Sequence, residues 1–216
     1  MKKLTSKIVV FDMDGVLVDV SSSWQFVHEA FGATNLDNLE KYLTGEIAYL
    51  EFMRRDIKLW GKTHVNTIKK ILAKAPLMKN APLVISRLKQ AGYKTAVISA
   101  GISLLAERLQ DNLGLDYTFA NKIVIDETGM LTGEGEEVVS LLDKSRALRT
   151  LALMEQTTPS SCAVVGDSVF DIPIFKEAGF SIAFNTRNKQ VTEASDVLVE
   201  GKDLKRILPY FIKSSQ

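Results

Sequence analysis

The stretch IVVFDMDGVLVD, residues 8–19, frames the reading of the whole chain. Four apolar residues, three of them β-branched, run directly into Asp12 and Asp14, which are separated by one residue. A short apolar run of this kind fits a strand buried on both faces, as in a parallel sheet. Asp is a poor strand residue and is costly to bury beside a second Asp. Taken alone, the pair reads equally as a strand end followed by a turn. A functional reading requires partners elsewhere in the chain.

The same buried-strand texture returns at TAVIS (95–99), AVVG (163–166), SIAF (181–184) and VLV (197–199). Helical patterns lie between these runs. PLVISRLKQAG (82–92) opens with Pro and stops at Gly92, as helix ends prefer. Residues 102–114, 144–155 and 171–178 also read as helices. Strands alternating with helices predict an α/β fold: a Rossmann-like core with a parallel sheet and helices on both faces. One segment breaks the alternation. Between Val20 and Met78 apolar residues recur at spacings of three and four, with no strand run. The expectation is a small helical cap domain at 20–78 inserted in a core of 1–19 and 79–216. A turn signal, ETG, between alternating runs predicts a hairpin over 119–138.

In a parallel α/β sheet ligands bind beyond the carboxyl ends of the strands. Those ends carry unusual residues here. The first strand ends in Asp12 and Asp14, the second in Ser99-Ala100-Gly101, and a later one in Gly166-Asp167 with Asp171 close behind. Lys144 opens a helix near the same edge. Each group suits phosphoryl transfer. A small-residue turn leading into a helix N-terminus offers backbone N–H groups to an anion. Converging carboxylates raise one another's pKa unless a cation neutralises them, and oxygen ligands beside a phosphate point to Mg²⁺. An ammonium compensates charge that develops during transfer, and a carboxylate attacks phosphorus to split one hard step into two.

FDMDGVLVD, VISAG, the Lys of LLDKSRAL and GDSVFD resemble, in order, the four motifs of the haloacid dehalogenase-like superfamily. The helical insert resembles that superfamily's first cap class. LGLDYTFANKIVI, GYKTAVISAG and FKEAGFSIAFN are most similar to its phosphoserine phosphatase branch. The resemblance implies an enzyme, a Mg²⁺-dependent phosphomonoesterase acting on a small phosphate ester. It implies Asp12 as nucleophile, Asp14 as general acid and then base, and Lys144 bridging nucleophile and phosphate. Ser99, Ala100 and Gly101 would hold the phosphate. Asp12, Asp167 and the main-chain carbonyl of Asp14 would bind Mg²⁺, with Asp171 in support. The second Asp of the first motif is kept by phosphatases and phosphomutases and lacking in dehalogenases.

The departures from that branch fall where substrate is chosen. The branch carries a Glu shortly after the first motif, whereas DVSSSW (19–24) has no acid after Asp19. Its cap arginine aligns with Asp56 in FMRRDI (52–57), leaving Arg54 and Arg55 as candidate substrate-binding residues, Arg55 about 100° around the helix. Phe170 stands where the branch has Asn before its last Asp. These changes predict a substrate other than phosphoserine, with esters of sugars or alcohols as the obvious class. Two rivals remain open: a phosphotransferase or mutase using the same phospho-aspartate, and a non-catalytic binding protein on the same fold.

Composition narrows the partners. In 216 residues, 27 Lys and Arg balance 26 Asp and Glu, which carries no nucleic-acid or membrane-surface footprint. The single cysteine, Cys162, forbids an intrachain disulfide and fits a reducing, cytoplasmic setting. The basic opening MKKLTSK is followed by too short an apolar run for a signal peptide, and no run reaches the ~18 residues of a membrane span. The expectation is a monomer or homodimer with no nucleic-acid or membrane partner. His28 and His64 lack metal-ligand spacing and read as structural or solvent-facing.

Overall fold

The run at 8–11 becomes the central strand of the sheet. A computed structural model describes residues 8–212; the basic opening MKKLTSK lies outside them. Among the described residues the strands are β1 (Ile8–Phe11), β2 (Lys94–Ile102), β3 (Tyr117–Ile125), β4 (Leu131–Glu136), β5 (Cys162–Gly166), β6 (Phe180–Phe184) and β7 (Val197–Val199). They form one sheet in the order β4-β3-β2-β1-β5-β6-β7. Every pairing is parallel except β3 with β4, the expected hairpin.

Alternation along β1 divides the core into two layers, because successive strand side chains point to opposite faces. Val9 and Phe11 join α5 (Ala81–Gln90) and α6 (Ser103–Leu113) through Val84, Ile85, Leu88, Leu105 and Leu109. Ile8 and Val10 pack with α7 (Ser145–Met154), α8 (Ile172–Glu177) and α9 (Lys189–Ala194) through Leu148, Leu151, Ile174, Phe175 and Val191. Both sheet faces are covered, which is why the strands read as continuous apolar runs rather than alternating ones.

The segment between β1 and α5 holds α1 (Ser23–Ala30), α2 (Leu36–Leu43), α3 (Tyr49–Lys58) and α4 (Val65–Leu72). The chain enters and leaves it through a narrow neck. Val18 pairs antiparallel with Leu77, Asp19 N–H donates to Pro76 O at 2.9 Å, and Met78 N–H to Leu17 O at 2.8 Å. Ile57, Trp60, Ile68 and Leu72 reach the layer that contains Val9 and Phe11. Tyr42, Tyr49, Phe52 and Met53 make a small cluster of their own.

One expectation needs correcting. Ser99-Ala100-Gly101 is a stretch of strand rather than a turn, although the expected helix does follow it. β2 continues through Ile102 with a register shift after Ile98, and α6 starts at Ser103. The shift has a local cause. The Ser99 hydroxyl accepts from Gly101 N–H at 3.1 Å, and Ala100 O accepts from Asn121 Nδ2 at 3.1 Å, both outside a regular ladder.

Candidate active site

Strand register brings the motifs to one edge. Phe11 lies level with Val97 on β2 and Val165 on β5, so Asp12, Ser99 and Asp167 follow within two residues of a common line. Asp12 N–H is held by Val165 O at 2.9 Å. Lys144, the residue before α7, is buried and donates to Asp12 Oδ2 and to Asp171 Oδ1, each at 2.7 Å. The other oxygen of Asp171 accepts from Asp167 N–H at 3.1 Å, from Ser168 N–H at 3.0 Å and from Ser168 Oγ at 3.0 Å. Asp171 thus aims the lysine and shapes the loop that carries Asp167, with both of its oxygens engaged.

The loop after β1 folds back on itself. Leu17 and Val18 N–H both donate to Met13 O, at 2.9 and 3.0 Å. Gly15 has φ +78°, and a Cβ there would lie 2.2 Å from Asp167 Oδ2, so only glycine lets this loop pass so close to the carboxylate. Asp14 accepts from Ser23 N–H and Ser23 Oγ, both at 2.8 Å on Oδ2, while its buried Oδ1 has no hydrogen-bond partner among the described residues.

Four carboxylates meet one ammonium here, and the electrostatics follow. Burial raises the Asp12 carboxyl to about 7, with Lys144 pulling the other way and Asp171 adding repulsion. Burial, then the Asp12 and Asp171 carboxylates, raise Asp167 to about 8. Asp14 is also raised by burial, partly offset by Ser23. Burial pulls Lys144 down, but Asp12 and Asp171 outweigh it and hold it above its ordinary value. Oxygens of Asp12, Asp167 and Asp171 lie within 4.8 Å of one another. An all-carboxylate set this close, with neither His nor Cys, fits a hard divalent cation such as Mg²⁺.

The edge opens into a cleft of about 240 Å³. Asp12, Asp14, Ser99, Ala100, Gly101, Lys144 and Asp167 line its floor, as the sequence predicts. The remaining wall is mostly aromatic and apolar, from Trp24, Leu39, Tyr49, Phe52, Leu141 and Phe170, with amides from Gln25 and Asn35 and hydroxyls from Ser21 and Ser22. Trp24 Nε1 and Tyr49 Oη both donate to Ala100 O, at 3.1 and 3.3 Å, so the insert touches the expected phosphate loop directly.

Arg54 and Arg55 are not among the residues lining this cleft. The buried stripe of α3 is Tyr49, Phe52, Met53, Asp56 and Ile57, and both arginines lie off it. Arg54 pairs with Glu134 on β4 and with Glu51, and Arg55 pairs with Glu51. Asp56 is buried instead. It accepts from Asn35 Nδ2 at 2.7 Å and Asn38 Nδ2 at 3.1 Å, and it meets His28 Nε2 at 3.2 Å. Trp60 Nε1 donates to His28 Nδ1 at 2.8 Å, so the histidine proton sits on Nε2 and points at Asp56.

In the sequence Trp24 fits a cleft wall or a packed cap core, the commoner fate of such a residue, and nothing there singles out Asn35, Tyr49, Phe52 or Leu141. Their place depends on how the insert docks, which no local pattern records. The SSS run at 21–23 was the one available signal, because three hydroxyls follow the aspartate pair.

Residues 6–179 match the haloacid dehalogenase-like hydrolase family. The chain belongs to the haloacid dehalogenase-like hydrolases. Within that family it falls in the phosphoserine phosphatase-like branch and is a hydrolase of the phosphomonoesterase type. The phosphoserine phosphatase of Methanocaldococcus jannaschii is 30% identical over 94% of this chain and 97% of its own length. That of Archaeoglobus fulgidus is 33% identical over 88% of this chain, which spans only 56% of that protein. A solved phosphoserine phosphatase holding an analogue of a phospho-aspartyl intermediate superposes with a TM-score of 0.81 at 28% identity, covering 96% of this hydrolase and 99% of the other chain. No described helix of this hydrolase is long and apolar enough to cross a membrane.

Proposed function

We propose that this chain hydrolyses a small phosphomonoester through a phosphorylated Asp12, with Mg²⁺ bound by Asp12, Asp167 and the main-chain carbonyl of Asp14. Asp171 orders the loop beneath. When bound, the cation neutralises the clustered carboxylates and withdraws charge from the phosphoryl oxygens. A carboxylate oxygen of Asp12 attacks phosphorus and the ester P–O bond breaks. Asp14, whose carboxyl burial pushes above its ordinary value, gives its proton to the departing alcohol oxygen. Water then attacks the aspartyl phosphate, Asp14 takes its proton back, and Asp12 is released as carboxylate. Lys144 stays beside Asp12 throughout and balances charge on the transferring group. The insert at 20–78 acts as a cap that shields the first transfer from bulk water.

The observation that carries the reading is the pairing of two unlike carboxylates. Asp12 is tied to an ammonium, and Asp14 is held on one oxygen with the other buried and unpartnered. Environments that separate two neighbouring acids in this way assign one to attack and the other to proton transfer.

The cleft wall supports an ester whose alcohol carries no charged group. All ionisable acids and bases lining the cleft, Tyr49 apart, sit at the catalytic floor. Arg54 and Arg55 are engaged elsewhere, and Asp56 already has three partners. An ammonium and a carboxylate lodged against the wall would lose hydration without gaining a counter-charge, at several kcal/mol per unpaired ion. The volume admits only a small alcohol. A sugar or simple alcohol phosphate meets these limits, with Asn35, Gln25 and the serines available to its hydroxyls. The test is phosphate release from phosphoserine and from neutral alcohol phosphates, with Mg²⁺ or with chelator, by wild type and Asp12→Asn. Mg²⁺-dependent release lost in the variant, with kcat/KM highest on a neutral ester, is expected. Phosphoserine as the best substrate would overturn the specificity, and no release from any ester would overturn hydrolysis.

A further inference from the structure

We infer that Ser23 is a positioning residue for the reaction: it dictates which oxygen of Asp14 delivers the proton to the leaving group. The inference rests on the phosphatase reading above. Ser23 is the first residue of α1 and is fully buried. Its hydroxyl lies 3.1 Å from Ile102 N and 2.8 Å from Asp14 Oδ2. Ile102 N–H donates to the hydroxyl, which in turn donates to Asp14 Oδ2. Ser23 N–H donates to the same carboxylate oxygen at 2.8 Å. An oxygen receiving two donors is the poorer place for a proton, because O–H would then face N–H and O–H head on. The acidic hydrogen of Asp14 is therefore left to Oδ1, the buried oxygen with no partner.

Space for this arrangement is made by Gly101. A Cβ there would stand 2.6 Å from Ser23 Oγ and 2.9 Å from Asp14 Oδ2. The contact also spans three parts of the fold: the loop after β1, the end of β2, and the start of the helical insert. Ser23 binds the proton donor to the same strand end that lines the phosphate side of the cleft.

A role in delivering a proton separates from a role in holding the fold by its dependence on the leaving group. An alkoxide departs only with a proton, whereas a dinitrophenolate departs without one. The experiment compares kcat/KM of wild type, Ser23→Ala and Asp14→Asn on ethyl phosphate and on 2,4-dinitrophenyl phosphate, at saturating Mg²⁺. This constant covers events only up to departure of the alcohol, so the later attack by water does not enter. Ser23→Ala is expected to lose about tenfold or more on ethyl phosphate, part of the ~10²–10⁴ that general acid catalysis supplies, and less than about twofold on the dinitrophenyl ester. Asp14→Asn should show the same selectivity with a larger loss. Equal losses on both esters, or no loss on either, overturn the inference while leaving the phosphatase reading in place. A wild type inert toward both esters overturns both. If Ser23→Ala does not fold by circular dichroism, Ser23→Cys carries the same comparison, since it keeps the volume and weakens the donor.

Discussion

Gly15 is where one missing side chain matters most. Its φ of +78° is a region that L-residues avoid, and the site of its absent Cβ is occupied by the Asp167 carboxylate. Gly15→Ala must therefore move Asp167 or distort the loop, on top of a backbone penalty of roughly 1–2 kcal/mol. The half-saturating Mg²⁺ concentration is expected to rise about tenfold or more, in line with disturbed metal surroundings elsewhere. A Mg²⁺ titration of activity and of thermal midpoint measures it; an unchanged Mg²⁺ requirement would mean that Asp167 is not a ligand. Asp12, Lys144 and Asp167 sit at strand or helix ends, and strand ends are legible from apolar runs, whereas Ser99 lies within β2 where its register shifts. Arg54 and Arg55 show the opposite case. The periodicity of α3 was present in the sequence, and it places Asp56 on the stripe shared with Tyr49, Phe52, Met53 and Ile57. The family position falls on Asp56 and left the arginines beside it as candidates, whereas helical phase turns both off the buried stripe.

At the scale of elements, Asn121 is the joint between hairpin, sheet and insert. It is fully buried on β3, and its Oδ1 accepts from Val138 and Val139 N–H, both at 2.8 Å. Its Nδ2 donates to Tyr49 Oη at 2.8 Å, to Val139 O at 3.0 Å and to Ala100 O at 3.1 Å. Removing it strands several buried backbone groups at once. Asn121→Ala is expected to cost about 2–4 kcal/mol in urea unfolding and to weaken substrate binding through Tyr49. A loss below about 0.5 kcal/mol would show that water replaces the amide without cost. Nothing in the local sequence FANKIV marked this residue. Its five hydrogen bonds reach three separate stretches of chain, and such a convergence exists only after the elements have docked. The same holds for Asn35, which owes its direction to Asp56 and lies in a loop with no pattern of its own.

The molecule as a whole sets an acid cluster against the burial that a working cleft demands. Asp12 and Asp167 titrate at about 7 and about 8 in the folded, cation-free protein, well above ordinary carboxylates. A carboxyl raised by folding stabilises the fold while protonated, and that contribution is lost as pH rises through the folded value. The cation-free protein should therefore lose thermal stability as pH rises from about 4, the ordinary carboxyl value, to about 8, and little beyond it. Mg²⁺ needs the deprotonated ligands, so its affinity should climb over the same window and level off above it. Thermal midpoints with Mg²⁺ and with chelator across that range should diverge as pH rises; a constant gap would sink the argument. The sheet order has a separate consequence, in time. β1 comes first along the chain, yet it sits at the centre, and its neighbours begin at Lys94 and Cys162. A chain emerging from the ribosome exposes IVVF long before either neighbour exists, while the local contacts of the helical insert form early. The strand bearing Asp12 is thus among the last to be enclosed. Until the segment from Cys162 has been made, the nascent protein presents a sticky, unpaired edge in need of chaperone protection, and competence for chemistry waits on that segment, which also carries Asp167 and Asp171.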